Sequence, residues 1–526
     1  MRAKKMLLNR MVTLLTLTVT CALFIANPIQ ANWSADRFSQ KTSFDEIDAY
    51  IEKQLDALNL PGAALAIVEG DQIVHLKGFG VSSPDGKAPT PQTPFIICSL
   101  TKSFTALAVM QLVETGKIEL DAPVQLYLPW FTLADPQAAA QITVRHLLVQ
   151  SSGLSQATGW KTMVNFDDSP DASGKQARQL ATFRPNRPAG SAFEYSNTNY
   201  NLLGLIIEAA SGEKYADYVQ NHIFDPLDMT HTYTSKAVAK QNGMSTGYMS
   251  WFGIPMAVPD LPTPSGSLAA GQLISSSEDM AHYLIAQLNG GRYKDAQILS
   301  PEGIAEMHSP GVDANSMGVD LGDYGMGWII TSTSQGNRIW HDGTNPDYFS
   351  YMALLPNQNR GMILLVNANQ VVINFALAEV GGGAASLLAG AQPESTPWAV
   401  VPWSLRAFLI IPFLQILGVF FTLRAIRRWR EDISRRPGPI RKWIHIALPI
   451  VLNLVLVACA LWLITSGVLK FWLLYMPDLS WLALICGGFA LVWIFVRTRL
   501  VLGALRRSSS PQSSVGRLIN EPKSVV

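Results

Sequence analysis

The chain has 526 residues, 48% hydrophobic and only 15% charged, too long for one compact domain and too apolar for a disordered or polyelectrolyte protein. Its net charge of +1 hides a division: +4 over residues 1–32, −15 over 33–400 and +12 over 401–526. The acidic middle would repel phosphate, which excludes nucleic acid as the main partner.

Arg2, Lys4, Lys5 and Arg10 precede an apolar stretch from Met11 to about Ile25, with Ala31 as a small residue for cleavage, so residues 1–32 read as a secretory signal. Val19 and Thr20 are not the small residues expected before a lipidated Cys21. A polar helix is expected from Phe44 to about Leu58. Gly62–Val68 and Gln72–Val81, joined by Glu69-Gly70-Asp71, read as an antiparallel hairpin. After Ser99, the spacing of Phe104, Leu107, Ala108, Gln111 and Leu112 predicts a helix that Gly116 stops. A long, mostly helical middle follows. Gly327–Thr331, Arg338–His341, Tyr348–Leu355 and Gly361–Asn367 are short strands, so the expected fold is α+β. Its antiparallel sheet is built from both ends of the domain, flanked by helices, with a helical insert between.

Residues 389–404, with Pro393, Pro397 and Pro402, form a predicted linker. Three apolar runs follow, 405–423, 444–467 and 479–496, each near the ~20 residues that a transmembrane helix needs. The loop 424–443 carries eight Lys/Arg between Arg424 and Lys442, and the tail 497–526 opens with Arg497, Arg499, Arg506 and Arg507. The positive-inside rule places loop and tail in the cytoplasm, so the first span runs outside to inside and the acidic domain lies outside. The signal sequence requires the same side. Gln415, His445 and Asn453 are few enough to read as helix–helix contacts, and membrane lipid is the partner expected for these three helices. Of the four cysteines, only Cys98 lies in the exported part, which therefore holds no internal disulfide.

The chemistry-bearing residues begin at Ser99-Leu100-Thr101-Lys102. A serine at a helix start with a lysine one turn on puts an amine beside a hydroxyl. If that lysine is neutral, it can take the serine's proton and make a nucleophile. The free N–H groups at the start of a helix also face a developing oxyanion. The pattern alone is weak, since Ser211-Gly212-Glu213-Lys214 repeats it at what reads as a solvated helix end. Order adds specificity: Tyr195-Ser196-Asn197 precedes an apolar helix from Tyr200, and His341-Asp342-Gly343 lies at a predicted strand end, where Gly343 allows close backbone approach.

With these motifs the chain resembles the serine β-lactamase and penicillin-binding-protein superfamily, in its class C β-lactamase, DD-carboxypeptidase and esterase branch. Supporting segments include Pro61-Gly62-Ala63-Ala64, Thr143–Leu148, Ser151-Ser152-Gly153-Leu154, Ser267–Gly271, Ser276–Ala281 and Tyr324–Trp328, so the likeness covers nearly all of residues 44–385. The resemblance implies a serine hydrolase domain over 44–388. In it Ser99 is acylated, Lys102 and Tyr195 share proton transfer in an order that stays open, and Asn197 binds substrate or supports Lys102. The backbone N–H groups of Ser99 and Thr344 would form the oxyanion hole. His341 stands where many relatives have Lys, and Asp342 where a hydroxyl residue is common. Both departures weaken recognition of a substrate carboxylate and favour peptide or ester hydrolysis over efficient β-lactam hydrolysis.

Competing readings are few. Gly243-Met244-Ser245-Thr246-Gly247 matches a nucleophile elbow, but it lacks the apolar strand before it and the helix after it that the elbow needs. No metal-ligand spacing and no phosphate loop are present in the sequence, so no cofactor is expected. The expected function is an exported, membrane-anchored hydrolase of amide or ester bonds, on D-amino-acid peptides of the cell wall, β-lactams or small esters. The alternative is a sensor or scaffold that acylates with little turnover.

Overall fold

A computed structural model describes residues 44–315, 321–393, 397–431 and 447–506. The expected signal peptide, most of the Arg-rich loop and all but the first ten residues of the tail lie outside the described residues.

Helix α1 (Phe44–Leu58) leads into strands β1 (Gly62–Glu69) and β2 (Gln72–Gly80). The sheet then draws on the other end of the domain: β3 (Val312–Asp313), β4 (Asp323–Tyr324), β5 (Ile329–Thr333), β6 (Gly336–Thr344), β7 (Phe349–Leu355) and β8 (Arg360–Val366). The order is β2-β1-β8-β7-β6-β5-β4-β3, with each neighbouring pair antiparallel. β1 meets β8 at Ala63↔Val366 through Glu69↔Arg360, which joins the two ends of the domain one strand in from the β2 edge of the sheet.

Side-chain alternation then builds two cores. Ala63, Leu65, Ile67, Leu364 and Val366 face α1 and α6 (Val371–Leu388), against Ile47, Ile51, Leu377 and Val380. Ala64, Ala66, Val68, Ile363 and Leu365 face the helical insert. Coverage of both faces explains why β1, β7 and β8 read as continuous apolar runs rather than as alternating strands. At the middle of the insert α2 (Thr101–Glu114) is buried at every residue from Thr101 to Met110. α3 (Gln156–Met163), α4 (Asn197–Ser211) and α5 (Ser277–Leu288) complete the parts that matter below.

The described residues include four helices long and apolar enough to cross a membrane. One is α6, more than half buried on the sheet. The other three, at Val400–Glu431, Leu448–Thr465 and Pro477–Ala504, have mean hydropathies of 2.0, 2.4 and 2.3 and leave large side chains such as Phe413, Ile416 and Leu491 uncovered by protein. The predicted run 405–423 is interrupted: a helix over Val400–Ala407 yields at Phe408-Leu409 to α7 (Ile410–Glu431), which has Pro412 in its first turn, where a missing N–H costs nothing. α7 also extends beyond Leu423 through the arginines, and Val400–Ala407 lies partly within the expected linker. α8 (Leu448–Thr465), the short α9 (Leu469–Tyr475) and α10 (Pro477–Arg506) follow, with α10 longer than its apolar run at both ends.

Candidate active site

Ser99 sits in a one-turn 3₁₀ helix, Cys98–Leu100, which runs directly into α2. Ser99 therefore precedes the α-helix proper by two residues. Cys98 holds φ at 51°, a conformation that costs a non-glycine residue energy and that the surrounding buried packing imposes. Lys102 follows on the first turn of α2 and is wholly buried.

The Lys102 amine has three partners: Ser99 Oγ at 3.0 Å, Asn197 Oδ1 at 2.7 Å and the carbonyl oxygen of Ala270 at 2.6 Å. No carboxylate is hydrogen-bonded to it. Burial therefore pulls its pKa down to about 7, with the nearby Cys98 and Asp342 acting weakly the other way. Asn197 and Ala270 present only lone pairs. A neutral Lys102 donates its two protons to these, and its own lone pair is left for the Ser99 hydroxyl.

Tyr195 approaches from the start of α4. Its hydroxyl is hydrogen-bonded with Ser99, and the Lys102 amine lies 4.9 Å from its ring centre. Burial pushes this phenol well above 10, with the Tyr324 hydroxyl adding to the rise. Asn197 is the first residue of α4. Its turn is held by Gln150, whose Oε1 accepts from the backbone N–H of Ser196 at 3.0 Å and from the Asn199 amide at 2.5 Å, while Ser152 donates to Asn199 at 2.6 Å. Sequence reasoning missed Gln150 and the Ala270 carbonyl, although both lie in or beside segments that carried the resemblance.

β6 forms the opposite wall. It runs three residues past His341, so His341 and Gly343 share its cleft face. A Cβ on Gly343 would lie 2.8 Å from the Ser99 backbone nitrogen and 2.3 Å from Ser350 Oγ, so only glycine lets the strand pass this close to Ser99. His341 is 2% exposed, hydrogen-bonded to the Tyr324 hydroxyl at 3.1 Å, with its ring 6.2 Å from that of Tyr195. Burial, assisted by the charge of Lys102, lowers its pKa to about 3, so it offers no positive charge to a substrate carboxylate at neutral pH. Thr344, at the end of the strand, donates its hydroxyl to Asn374 on α6. The carboxyl of Asp342 is raised to about 6, mainly by burial. Of the seven residues singled out from sequence, Ser99, Lys102, Tyr195 and Asn197 are thus linked by hydrogen bonds, Gly343 backs onto the Ser99 nitrogen, and His341 and Thr344 share its strand.

The elbow motif fares differently. Ser245 is 4% exposed, its carbonyl accepts from the Tyr348 hydroxyl, and the chain continues into a strand at Tyr248–Trp251 rather than into a helix. No cluster of three metal-ligating side chains occurs among the described residues.

Comparison with known proteins agrees with this geometry. Protein flp of Staphylococcus aureus (strain N315) is 27% identical over 479 residues, 87% of this chain and 92% of its own length, a span that must reach into the apolar helices. The putative penicillin-binding protein PbpX of Bacillus subtilis (strain 168) is 30% identical over 296 residues, 56% of this chain and 68% of PbpX. The octameric penicillin-binding protein homologue from Pyrococcus abyssi superposes with a TM-score of 0.58 at 29% identity, over 67% of this chain and 78% of its own. The profile of the beta-lactamase family matches residues 47–378, the stretch that holds the sheet, the insert and every side chain of the cleft, and the chain belongs to that family.

Proposed function

We propose that this member of the beta-lactamase family is an exported, membrane-anchored serine hydrolase that works through a Ser99 acyl-enzyme on amide or ester bonds, with D-amino-acid peptides of the cell wall as the first substrate class and β-lactams and small esters as related ones. The observation that carries the reading is the Lys102 amine, buried and bonded to two carbonyl oxygens and Ser99 Oγ.

The two pKa directions favour Lys102 as the base and Tyr195 as the acid. Near neutral pH, Lys102 is in part an amine and Tyr195 is a phenol. Lys102 takes the Ser99 proton as Oγ attacks the substrate carbonyl carbon, and the oxyanion faces the backbone N–H groups of Ser99 and Thr344. As the C–N or C–O bond breaks, Tyr195 gives its proton to the leaving group and regains one from the Lys102 ammonium. Water then attacks the acyl carbon, losing a proton to Lys102, and Ser99 leaves with a proton returned. Each group ends as it began.

Placement outside the cell rests on the N-terminal signal and the charge of the loops. It is supported by α9, which joins the last two apolar helices and touches the catalytic domain, so that both occupy one side of any membrane crossed by α8 and α10. The detergent-solubilised full chain should gain one acyl mass with a penicillin and one phosphonyl mass, with loss of fluoride, with a fluorophosphonate, and Ser99→Ala should gain neither. Labelling that survives in Ser99→Ala sinks the proposal. An adduct that never turns over, on peptide, ester or β-lactam, favours the sensor instead.

A further inference from the structure

α9 and the first residues of α10 are not a bare loop between two spans. Phe471 and Tyr475 are 6% and 3% exposed. Phe471 stacks on Trp160 of α3 at 4.7 Å and on Tyr475 at 4.3 Å, while Trp472 meets Trp160 edge-on. The buried Asp478 carboxylate accepts from the Phe252 backbone N–H at 2.8 Å and from the Gln370 amide at 3.1 Å, at the entry to α6. The segment is thus fastened to both sides of the catalytic domain.

Two spaces lie along it. A small cavity of about 20 Å³ is bounded by Met163, Phe166, Asn345 and Tyr475, and Met163 sulfur accepts from the Asn197 amide that also serves Lys102. Beside it lies a groove of about 900 Å³, walled by Trp160, Val164 and Phe166 on one side and by Ile464, Val468 and Phe471 on the other. Phe166 borders both spaces, and the Phe471–Tyr475 stack runs from one to the other. The groove starts at the last turn of α8, the most apolar of the four long apolar helices among the described residues, and carries the exposed Lys161 and Lys470. Asp167, its acidic residue, is paired with Lys175.

We propose that α9 is the outer wall of the catalytic cleft and that the groove receives the hydrocarbon tail of an amphiphilic, anionic substrate, whose scissile ester or amide reaches Ser99. The proposal rests on the acyl-enzyme reading and narrows it to lipid-linked substrates taken up at the membrane surface. Apolar walls continuous with a membrane-spanning helix suit an alkyl chain. The two lysines suit an anionic group at the head of that chain.

The test is the rate at which ethyl and dodecyl fluorophosphonates label Ser99 in the full chain, in micelles of fixed composition, read by intact mass. Wild type should prefer the dodecyl probe at least tenfold. Val164→Trp and Val468→Trp, which fill the groove from opposite walls, should each lose that preference while the ethyl rate stays within twofold. Lys470→Glu should slow an anionic long-chain ester without slowing a neutral one. A wild-type preference below threefold overturns the groove, as does a preference that survives in both filled variants. Failure of the ethyl probe to label wild type defeats the acyl-enzyme reading itself, and the groove with it.

Discussion

Lys102 Nζ lies 2.7 Å from Asn197 Oδ1, and that oxygen belongs to an amide rather than a carboxylate. The choice decides the protonation of the base. An amide oxygen accepts from the amine whether or not it is charged, so burial, the largest influence, brings the pKa down to about 7. If the neutral amine is the base, as proposed, acylation should rise with pH through a midpoint close to 7 and level off above it. Asn197→Asp supplies a negative charge at the same distance, which holds the ammonium and moves the midpoint up. The expected result is a loss of at least tenfold in acylation rate at pH 7, recovered in part at pH 9. A profile that does not move assigns the midpoint to another group.

Asp342 acts on the same amine from further away. Its charge raises the Lys102 pKa, against the larger effect of burial. Asp342→Asn removes that charge, so the midpoint should fall below that of the wild type, and the gain in acylation should be read at pH 7, where Asp342, with its own pKa near 6, is mostly ionised. A shift in the opposite direction, measured on the same ester, would mean that Asp342 acts through packing and not through charge.

His341 links the site to acid stability. Its folded pKa of about 3 lies below the unfolded value of ~6.5. The unfolded chain therefore takes up the proton first, and this residue costs stability progressively as pH falls from 6.5 towards 3. Above 6.5 it contributes nothing to the pH dependence. The slope for one such group is about 1.4 kcal/mol per pH unit within that window. His341→Gln, which keeps a polar partner for Tyr324, should flatten the fall of the melting temperature between pH 6 and pH 4 while leaving the value at pH 8 nearly unchanged. An unchanged fall would locate the acid sensitivity elsewhere.

The parts of the site that were legible in sequence are those with local signals. Ser99 and Lys102 are three residues apart at the start of a periodic apolar run, and Asn197 opens another, so each pair of element and side chain could be read together. The strand containing Tyr348–Leu355 matched to within a residue because both its faces are buried and its run is unbroken. Other parts depend on tertiary contact. The Ala270 carbonyl has no side-chain signature. The predicted strand from Gly327 starts two residues later because Gly327, at φ 80°, is pressed against the Lys102 backbone. β3 and β4 are two-residue strands with no period to detect. α9 falls between two predicted spans, and only its docking on Trp160 shows which of its faces is buried.

Gly343 is where the sheet meets Ser99, and its replacement tests the proposed oxyanion site without touching a titrating group. A methyl group there would lie 2.3 Å from Ser350 Oγ, 2.7 Å from Cys98 Cβ and 2.8 Å from the Ser99 nitrogen. Two of these neighbours are fixed: Cys98 and Ser350 are buried, and Ser350 donates to the Ile97 carbonyl at 2.7 Å. β6 or the 3₁₀ turn must therefore move, and either movement pulls the N–H groups of Ser99 and Thr344 apart. Gly343→Ala should cost about 1–3 kcal/mol of stability, as overpacking does. It should also slow Ser99 acylation by about 10²–10³, the scale of one lost oxyanion donor. The pH midpoint near 7 should stay in place, because Lys102 keeps its partners on the other wall. Acylation slowed together with a displaced midpoint would show that the strand also positions the base, and an unaffected rate would remove the oxyanion role from this end of β6.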